Sequence, residues 1–261
     1  MTQTSDQWEQ HASWWQDNFT EGVDPEYTEQ ILPMVVDGLC GARTVLDIGT
    51  GEGQVGRALV DQLDGIRVIG VDPSGAQLKA AVERSADKIR YLQAGAGDLP
   101  FGDGSFDAAV ACLVFEHIDE LDEAIREVAR VVATGGKFLL LLNHPLLQTP
   151  GSGWIDDQIL DPPEQYWRVG PYLNEAATTE EVQKDVHIRF LHRPLSRYIN
   201  SMIQAGFELV EMIEPAPPNG FLAQAPQYED AATIPRLLVL RTRRKPREST
   251  PGSVVGQRPV V

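Results

Sequence analysis

Residues 45–59 read VLDIGTGEGQVGRAL and contain two overlapping glycine patterns. Gly51, Gly53 and Gly56 spell G-x-G-x-x-G, the turn that cradles the pyrophosphate of a dinucleotide such as NAD. Gly49, Gly51 and Gly53 spell a tighter G-x-G-x-G preceded by a carboxylate, Asp47, and this suits a nucleoside that carries an amino acid. Both readings put the turn after a buried strand and before a helix.

Apolar runs and amphipathic stretches alternate outward from this point. RTVLDIG (43–49) reads as a strand and Gly53 to Leu63 as a helix. IRVIGVD (66–72) is a second strand, and PSGAQLKAAVERSA (73–86) is a helix with Pro73 and Ser74 at its start. IRYLQAG (89–95) and FDAAVACLVF (106–115) are the third and fourth strands. IDELDEAIREVARVV (118–132) is a periodic helix that ends before Gly135-Gly136, and GKFLLLLN (136–143) is the fifth strand. Strands apolar on both faces and joined by helices predict an α/β fold, a doubly wound and mostly parallel sheet covered on both sides. From His144 to about Arg193 the periodicity lapses amid prolines and aromatics, so this stretch reads as an insertion. A helix (193–207) and two strands (208–214 and 235–244) follow. The expected organisation is one domain over 1–243, with 1–43 and 144–193 as lids and 244–261 as a disordered tail.

Bulk properties narrow the partners. The 261 residues carry a net charge of −16. That excess argues against nucleic acid, whose binders need a basic face, and against an anionic membrane surface. Two cysteines, Cys40 and Cys112, imply neither a disulfide framework nor a zinc site. The start, MTQTSDQWEQ, is not that of a secretory leader, and a cytoplasmic location is expected. The expected partner is a small-molecule or oligosaccharide acceptor, with a second copy of the chain (a homodimer) as a further candidate.

Three details separate the two glycine readings. Asp47 would repel a pyrophosphate but attract an α-ammonium group, directly or through water. No tyrosine has a lysine four residues on, so the acid–base pair that hydride transfer needs is not evident. About forty aromatic-rich residues precede the first strand, whereas simple dinucleotide folds often begin at it. S-adenosylmethionine (SAM) fits better than NAD, and Asp72, closing the second strand, is placed to accept hydrogen bonds from ribose hydroxyls.

VLDIGTGEGQVGRAL, VIGVDPS, DLPFGDGSFDAAVACLVFEHI and REVARVVATGGKFLL together resemble the successive motifs of the class I, seven-strand SAM-dependent methyltransferases, over roughly residues 44–143. The resemblance implies a seven-stranded sheet with a reversed last strand. It places Asp47, Gly49, Thr50, Gly51 and Gly53 around the methionine portion, and Asp72 and Pro73 at the ribose. The family commonly has an Asp ahead of the LPF stretch to bond the adenine amino group. Gly95 stands there instead, which passes the task to Ala96, Gly97 or Asp98. Cys112 and Leu113 would flank the cofactor.

A sulfonium methyl is already activated, so an acceptor hydroxyl chiefly needs alignment and a base. His144 and His117 follow strands at their carboxyl ends. His144 is the favoured base because it opens the insertion, and His117 is the second candidate. Glu116 could orient an acceptor hydroxyl. Asp156 and Asp157 are candidates, with His144, for a hard divalent cation such as Mg²⁺, or are simply a solvated loop. The five tryptophans (Trp8, Trp14, Trp15, Trp154, Trp167) lie outside the sheet framework. Trp15, Tyr27, Trp154, Tyr166 and Trp167 therefore read as a lid that stacks a ring, or as a satellite core. Arg193, with Arg189 and Arg197, offers a local basic cluster for an anionic group on a substrate, or is equally the start of a helix with exposed arginines. The stretch from 143 to 200 resembles actinobacterial methyltransferases, some associated with O-methylation of mannose or glucose polysaccharides. That resemblance implies a sugar hydroxyl as acceptor. A quinone or other aromatic small molecule, methylated at oxygen or carbon, and a non-catalytic SAM-binding protein are the alternatives.

Overall fold

A computed structural model describes residues 8–20, 23–85, 88–224 and 231–246. Seven strands form one sheet: β1 (Thr44–Ile48), β2 (Arg67–Asp72), β3 (Arg90–Gln93), β4 (Phe106–Cys112), β5 (Val132–Asn143), β10 (Phe207–Ile213) and β11 (Leu237–Arg244). Their order across the sheet is β10-β11-β5-β4-β1-β2-β3. β11 pairs antiparallel to both β5 and β10, so the last strand alone is reversed. This is the expected α/β architecture, with the switch in strand order between β1 and β4.

The helices are α1 (Ala12–Phe19), a π-helical turn (Tyr27–Ile31) running into α2 (Leu32–Leu39), α3 (Gln54–Gln62), α4 (Gly75–Ser85), α5 (Leu121–Val131), a short α6 (Pro145–Gln148), α7 (Leu195–Gln204) and α8 (Asn219–Gln224). Alternate strand residues face opposite layers. Leu46, Ile48, Ala109, Phe138, Leu140 and Leu240 pack against Ile125 and Val128 of α5 and Tyr198 and Met202 of α7. Val45, Val68, Val110, Leu139 and Leu141 pack against Val35 and Leu39 of α2 and Val55 and Leu59 of α3. Each buried Val, Leu, Ile, Met or Phe side chain among these is worth about 1.5–3 kcal/mol relative to exposure. The N-terminal segment thus divides: α2 covers a sheet face, while α1 lies over the carboxyl edge.

Three boundaries differ from the sequence reading. α5 stops at Val131, and β5 starts at once at Val132 and runs through the Gly135-Gly136 turn signal. The segment read as an irregular lid consists of two antiparallel hairpins, β6 (Gly153–Asp157) with β7 (Glu164–Arg168) and β8 (Ala176–Gln183) with β9 (Val186–His192). Acidic and polar residues occupy most of β8, so no apolar alternation marked it as a strand. β11 extends through Arg244, one residue past the expected domain end, and residues 247–261 of the proposed tail lie outside the described residues.

Candidate functional site

The turn between β1 and α3 is built by left-handed backbone at Gly49, Gly51 and Gly53 (φ +67°, +54° and +86°), which side-chain-bearing residues adopt only at a cost. The Gly49 and Thr50 amides donate to the Val71 carbonyl at 2.8 and 3.0 Å and tie the turn to β2. Thr50 Oγ1 donates to Asp47 Oδ2 at 2.6 Å. The Gly51 amide donates to Asp72 Oδ2 at 2.9 Å, and the Ser74 amide to Asp72 Oδ1 at 2.8 Å. One carboxylate therefore braces the turn from within, and the next joins the turn to the start of α4. Burial pushes Asp47 up to about 7 and Asp72 up to about 6, against the hydrogen bonds that favour their charged forms.

Sequence reading missed two props of this turn. A Cβ on Gly70 would lie 2.7 Å from Thr50 Oγ1 and 2.8 Å from Tyr91, so β2 needs glycine beside Asp47. Tyr91 packs where a Gly53 side chain would be, its hydroxyl bonded to Ser85 at 2.6 Å. Both look like ordinary strand residues in sequence.

These groups open onto a crevice of ≈ 430 Å³ at the carboxyl ends of the strands, within the usual size of a small-ligand site. Asp47, Gly49, Thr50, Gly51, Asp72, Pro73, Ala96, Gly97, Asp98, Cys112 and Leu113 all line it, as does Gly95; Gly53 stands behind as the cap of α3. Leu113 has φ +55°, a strained value for leucine, immediately after β4. Carboxylates at Glu52, Asp98, Asp119, Glu120 and Glu123 join Asp47 and Asp72 in the lining, with no Lys or Arg among its described residues. Glu52 is held by Arg57 at 2.6 Å and Arg84 at 2.9 Å.

Trp8, Trp15 and Tyr27 close the crevice from the N-terminal segment. Glu9 fastens that segment down. Its carboxylate accepts from Ser74 Oγ at 2.6 Å and the Ala76 amide at 3.1 Å, which lowers its pKa and caps α4. Gln16 donates to Gln77 at 3.0 Å, and Gln54 to the Phe19 carbonyl at 3.3 Å. Glu9 was missed as a site residue, and Trp8, one of the tryptophans read as a lid, was not singled out, since nothing in the sequence says which N-terminal aromatic reaches the sheet edge.

His117 also lines the crevice, on the 3₁₀ turn Phe115–His117. Its Nδ1 lies 2.8 Å from the Arg189 carbonyl, and its ring packs between Trp8 (4.9 Å between centroids) and Phe190 (4.8 Å). Burial lowers its pKa to about 4, so the ring is neutral, with Nδ1–H donating and a lone pair on Nε2.

Other expected site residues lie elsewhere. His144 does not line the crevice. Its Nδ1 accepts from the Leu146 amide at 3.1 Å, so Nε2 carries the proton and donates to Glu214 at 2.7 Å. With both nitrogens committed, His144 caps α6 rather than serving as a base. Glu116 is buried beside the crevice without lining it. Its Oε1 accepts from the Asn143 amide and side chain at 3.2 and 2.9 Å, Oε2 has no partner among the described residues, and burial pushes the group up to about 7. Trp154 and Trp167 face a separate pocket of ≈ 140 Å³, and Tyr166 is exposed, so the insertion does not supply the ring-stacking wall. Arg193 is 5% exposed and turned inward: it donates to the carbonyls of Phe115, Ile118 and Asp119 at 3.2, 2.7 and 2.8 Å. It clamps the turn that carries His117 instead of meeting a substrate anion. Asp156 accepts from Gln158 and Asp157 from the Ile159 amide, and no group of three or more His, Cys, Asp or Glu residues suited to a metal ion occurs among the described residues. Nor is any helix among them long and apolar enough to cross a membrane.

The donor set fits SAM. A Cβ on Gly51 would meet nothing within 4 Å, so the turn faces open space, and the described residues around that space include carboxylates and amides but no Lys or Arg. Such a corner favours an ammonium and a ribose diol over a pyrophosphate.

Comparison with known proteins agrees with this geometry. Residues 46–140 match the family described as "Methyltransferase domain". The chain is 33% identical over 123 residues to a demethylmenaquinone methyltransferase of Thermus thermophilus, covering 46% of this chain and 55% of that protein. It is 28% identical over 137 residues to an O-methyltransferase of Aspergillus nomiae, covering 50% and 60%. The chain thus spans little more than half the length of these relatives. The crystal structure of an S-adenosylmethionine-dependent methyltransferase from Mesorhizobium loti superposes with a TM-score of 0.71 at 24% identity, over 85% of this chain and 98% of that one. With its strand order, its single reversed strand and the methyltransferase-domain match across its first five strands, the chain has the Rossmann-like fold of the class I SAM-dependent methyltransferases.

Proposed function

We propose that this protein is a SAM-dependent methyltransferase acting on a hydroxyl of a small acceptor. The observation that carries the reading is the corner formed by Asp47, the Gly49–Gly53 turn and Asp72, opening on a crevice with no basic side chain among its described lining residues. Bound there, SAM supplies a methyl group already activated for in-line displacement. Asp47 would meet the α-ammonium group, Asp72 the ribose hydroxyls, and the 94–98 segment the adenine. Trp8 and Trp15 exclude water above the site. His117, neutral and fixed by Arg189, is a group in the crevice with a free lone pair able to accept a proton from an acceptor. The relatives that carry demethylmenaquinone and O-methyltransferase names support methyl transfer in general. A sugar acceptor, which the insertion's resemblance implies, loses the stacking wall expected of Trp154, Tyr166 and Trp167.

Isothermal calorimetry with SAM, and with NAD as control, tests the reading. Saturable SAM binding that Asp47→Asn weakens at least tenfold is the expected result. Binding of NAD in preference to SAM would overturn it.

A further inference from the structure

A second pocket, of ≈ 140 Å³, shares no described lining residue with the SAM crevice. Trp154 and Trp167 stand opposite each other on the β6–β7 hairpin, and their rings meet edge to face at 5.6 Å. With Leu147 of α6, Phe221 of α8 and Ile234 they make its apolar walls, and Arg236, just before β11, is the charged group of the described lining. The Arg236 main chain is pinned, its carbonyl accepting from the His144 amide at 2.7 Å. Its guanidinium carbon lies 4.0 Å from the centroid of the Phe221 ring.

Arg236 keeps open hydrogen-bonding capacity. Its Nε donates to Glu26 at 3.3 Å, and neither terminal nitrogen has a partner among the described residues. The terminal nitrogens of Arg130 and Arg193 are by contrast spent on carbonyls and carboxylates. The Arg236 side chain is 34% exposed, so a ligand can reach it from solvent.

The geometry points to a second binding site, for a small planar ring that carries one carboxylate, with the ring against Trp154, Trp167 and Phe221 and the carboxylate on the terminal nitrogens of Arg236. The volume is close to that of a cavity that takes one benzene ring, roughly 150 Å³. Flat apolar walls complement a ring face. Two adjacent N–H donors match the two oxygens of a carboxylate, and such charge-assisted pairs are the strong ones. Glu26, and Asp24 bonded to the Glu26 amide at 2.8 Å, offset part of the arginine's charge, so a single negative charge suits the site better than two. The net charge of −16 gives anions no general attraction to this chain, which leaves the local fork as the source of affinity. The site stands or falls apart from the SAM reading.

The test titrates the full chain, with and without SAM, with benzoate, benzyl alcohol and acetate at about 0.15 M salt, where long-range repulsion is screened. Benzoate is expected to saturate with a Kd of about 1 mM or below, and benzyl alcohol and acetate to bind about tenfold weaker or less. SAM should not displace benzoate. On the unaltered protein, benzoate should shift the indole N–H resonances of Trp154 and Trp167 and leave that of Trp15 in place. Arg236→Met keeps an unbranched stem against Phe221 and removes the fork. It is expected to weaken benzoate about tenfold and leave benzyl alcohol unchanged. No saturable benzoate binding, benzyl alcohol binding as tightly as benzoate, displacement by SAM, shifts at Trp15 alone, or full benzoate affinity in Arg236→Met would each overturn the inference.

Discussion

His117 Nδ1 and the main-chain oxygen of Arg189 lie 2.8 Å apart, joining the turn after β4 to strand β9 across 72 residues of sequence. That bond selects the ring's tautomer, and burial keeps it neutral down to about pH 4. Measured as kcat at saturating SAM, the rate is therefore expected to show no acidic limb near 6.5, the ordinary histidine value. A limb there would mean that the ring is not held as described. His117→Asn is expected to lower kcat on the order of 10²-fold with SAM affinity within twofold of the parent.

Cofactor affinity follows the two buried acids. Asp47 and Asp72 are raised to about 7 and about 6 in the free protein, which favours their neutral forms below those values. A cationic ligand favours the charged forms, so SAM should bind more tightly as pH rises from 5.5 to 7.5 and release protons on binding near pH 6.5. Calorimetry in two buffers of different ionisation heat measures that release. Asp47→Asn should reduce it, and an unchanged proton count would refute the linkage.

Two glycines of one turn should respond differently to alanine. At Gly49 an added Cβ collides with Val114 and the backbone is left-handed, whereas at Gly51 it meets no atom within 4 Å. Gly49→Ala is expected to cost about 3 kcal/mol or more of stability, strain plus a displaced crevice wall, against about 1–2 kcal/mol for Gly51→Ala. Chemical denaturation compares them, and equal losses would contradict the packing.

Arg193 is expected to act on stability first. Replacing it with leucine removes the guanidinium from the Phe115, Ile118 and Asp119 carbonyls, of which Phe115 and Asp119 keep a backbone amide donor (Ile118 and Leu121). A loss of about 3 kcal/mol, or roughly 6–12 °C in Tm, is expected. Lysine should rescue little of it, because an ammonium cannot reproduce the guanidinium's planar fork. A thermal melt unchanged by Arg193→Leu would exclude the clamp.

His144→Ala should keep kcat within about threefold of the parent, since both ring nitrogens are engaged outside the crevice. Loss of the α6 cap should cost about 1 kcal/mol of stability. A hundredfold fall in kcat would restore His144 as a candidate base.

The sequence alone determined the sheet and its cofactor corner. Alternation of apolar strands and periodic helices is written locally, and the Asp47–glycine–Asp72 constellation falls within 26 residues on consecutive elements, so chain order puts it at one strand edge. Tertiary structure decided which histidine faces the crevice. His117 and His144 both follow strands, and no local pattern tells a ring whose lone pair is free from one whose two nitrogens are taken by Leu146 and Glu214. It also decided that Trp8 and Trp15 enter the site while Trp154 and Trp167 do not, and that Arg193 turns inward to carbonyls more than seventy residues away. A hydrogen bond or ring contact between distant segments depends on where two loops meet in space, and residue order does not encode that meeting point.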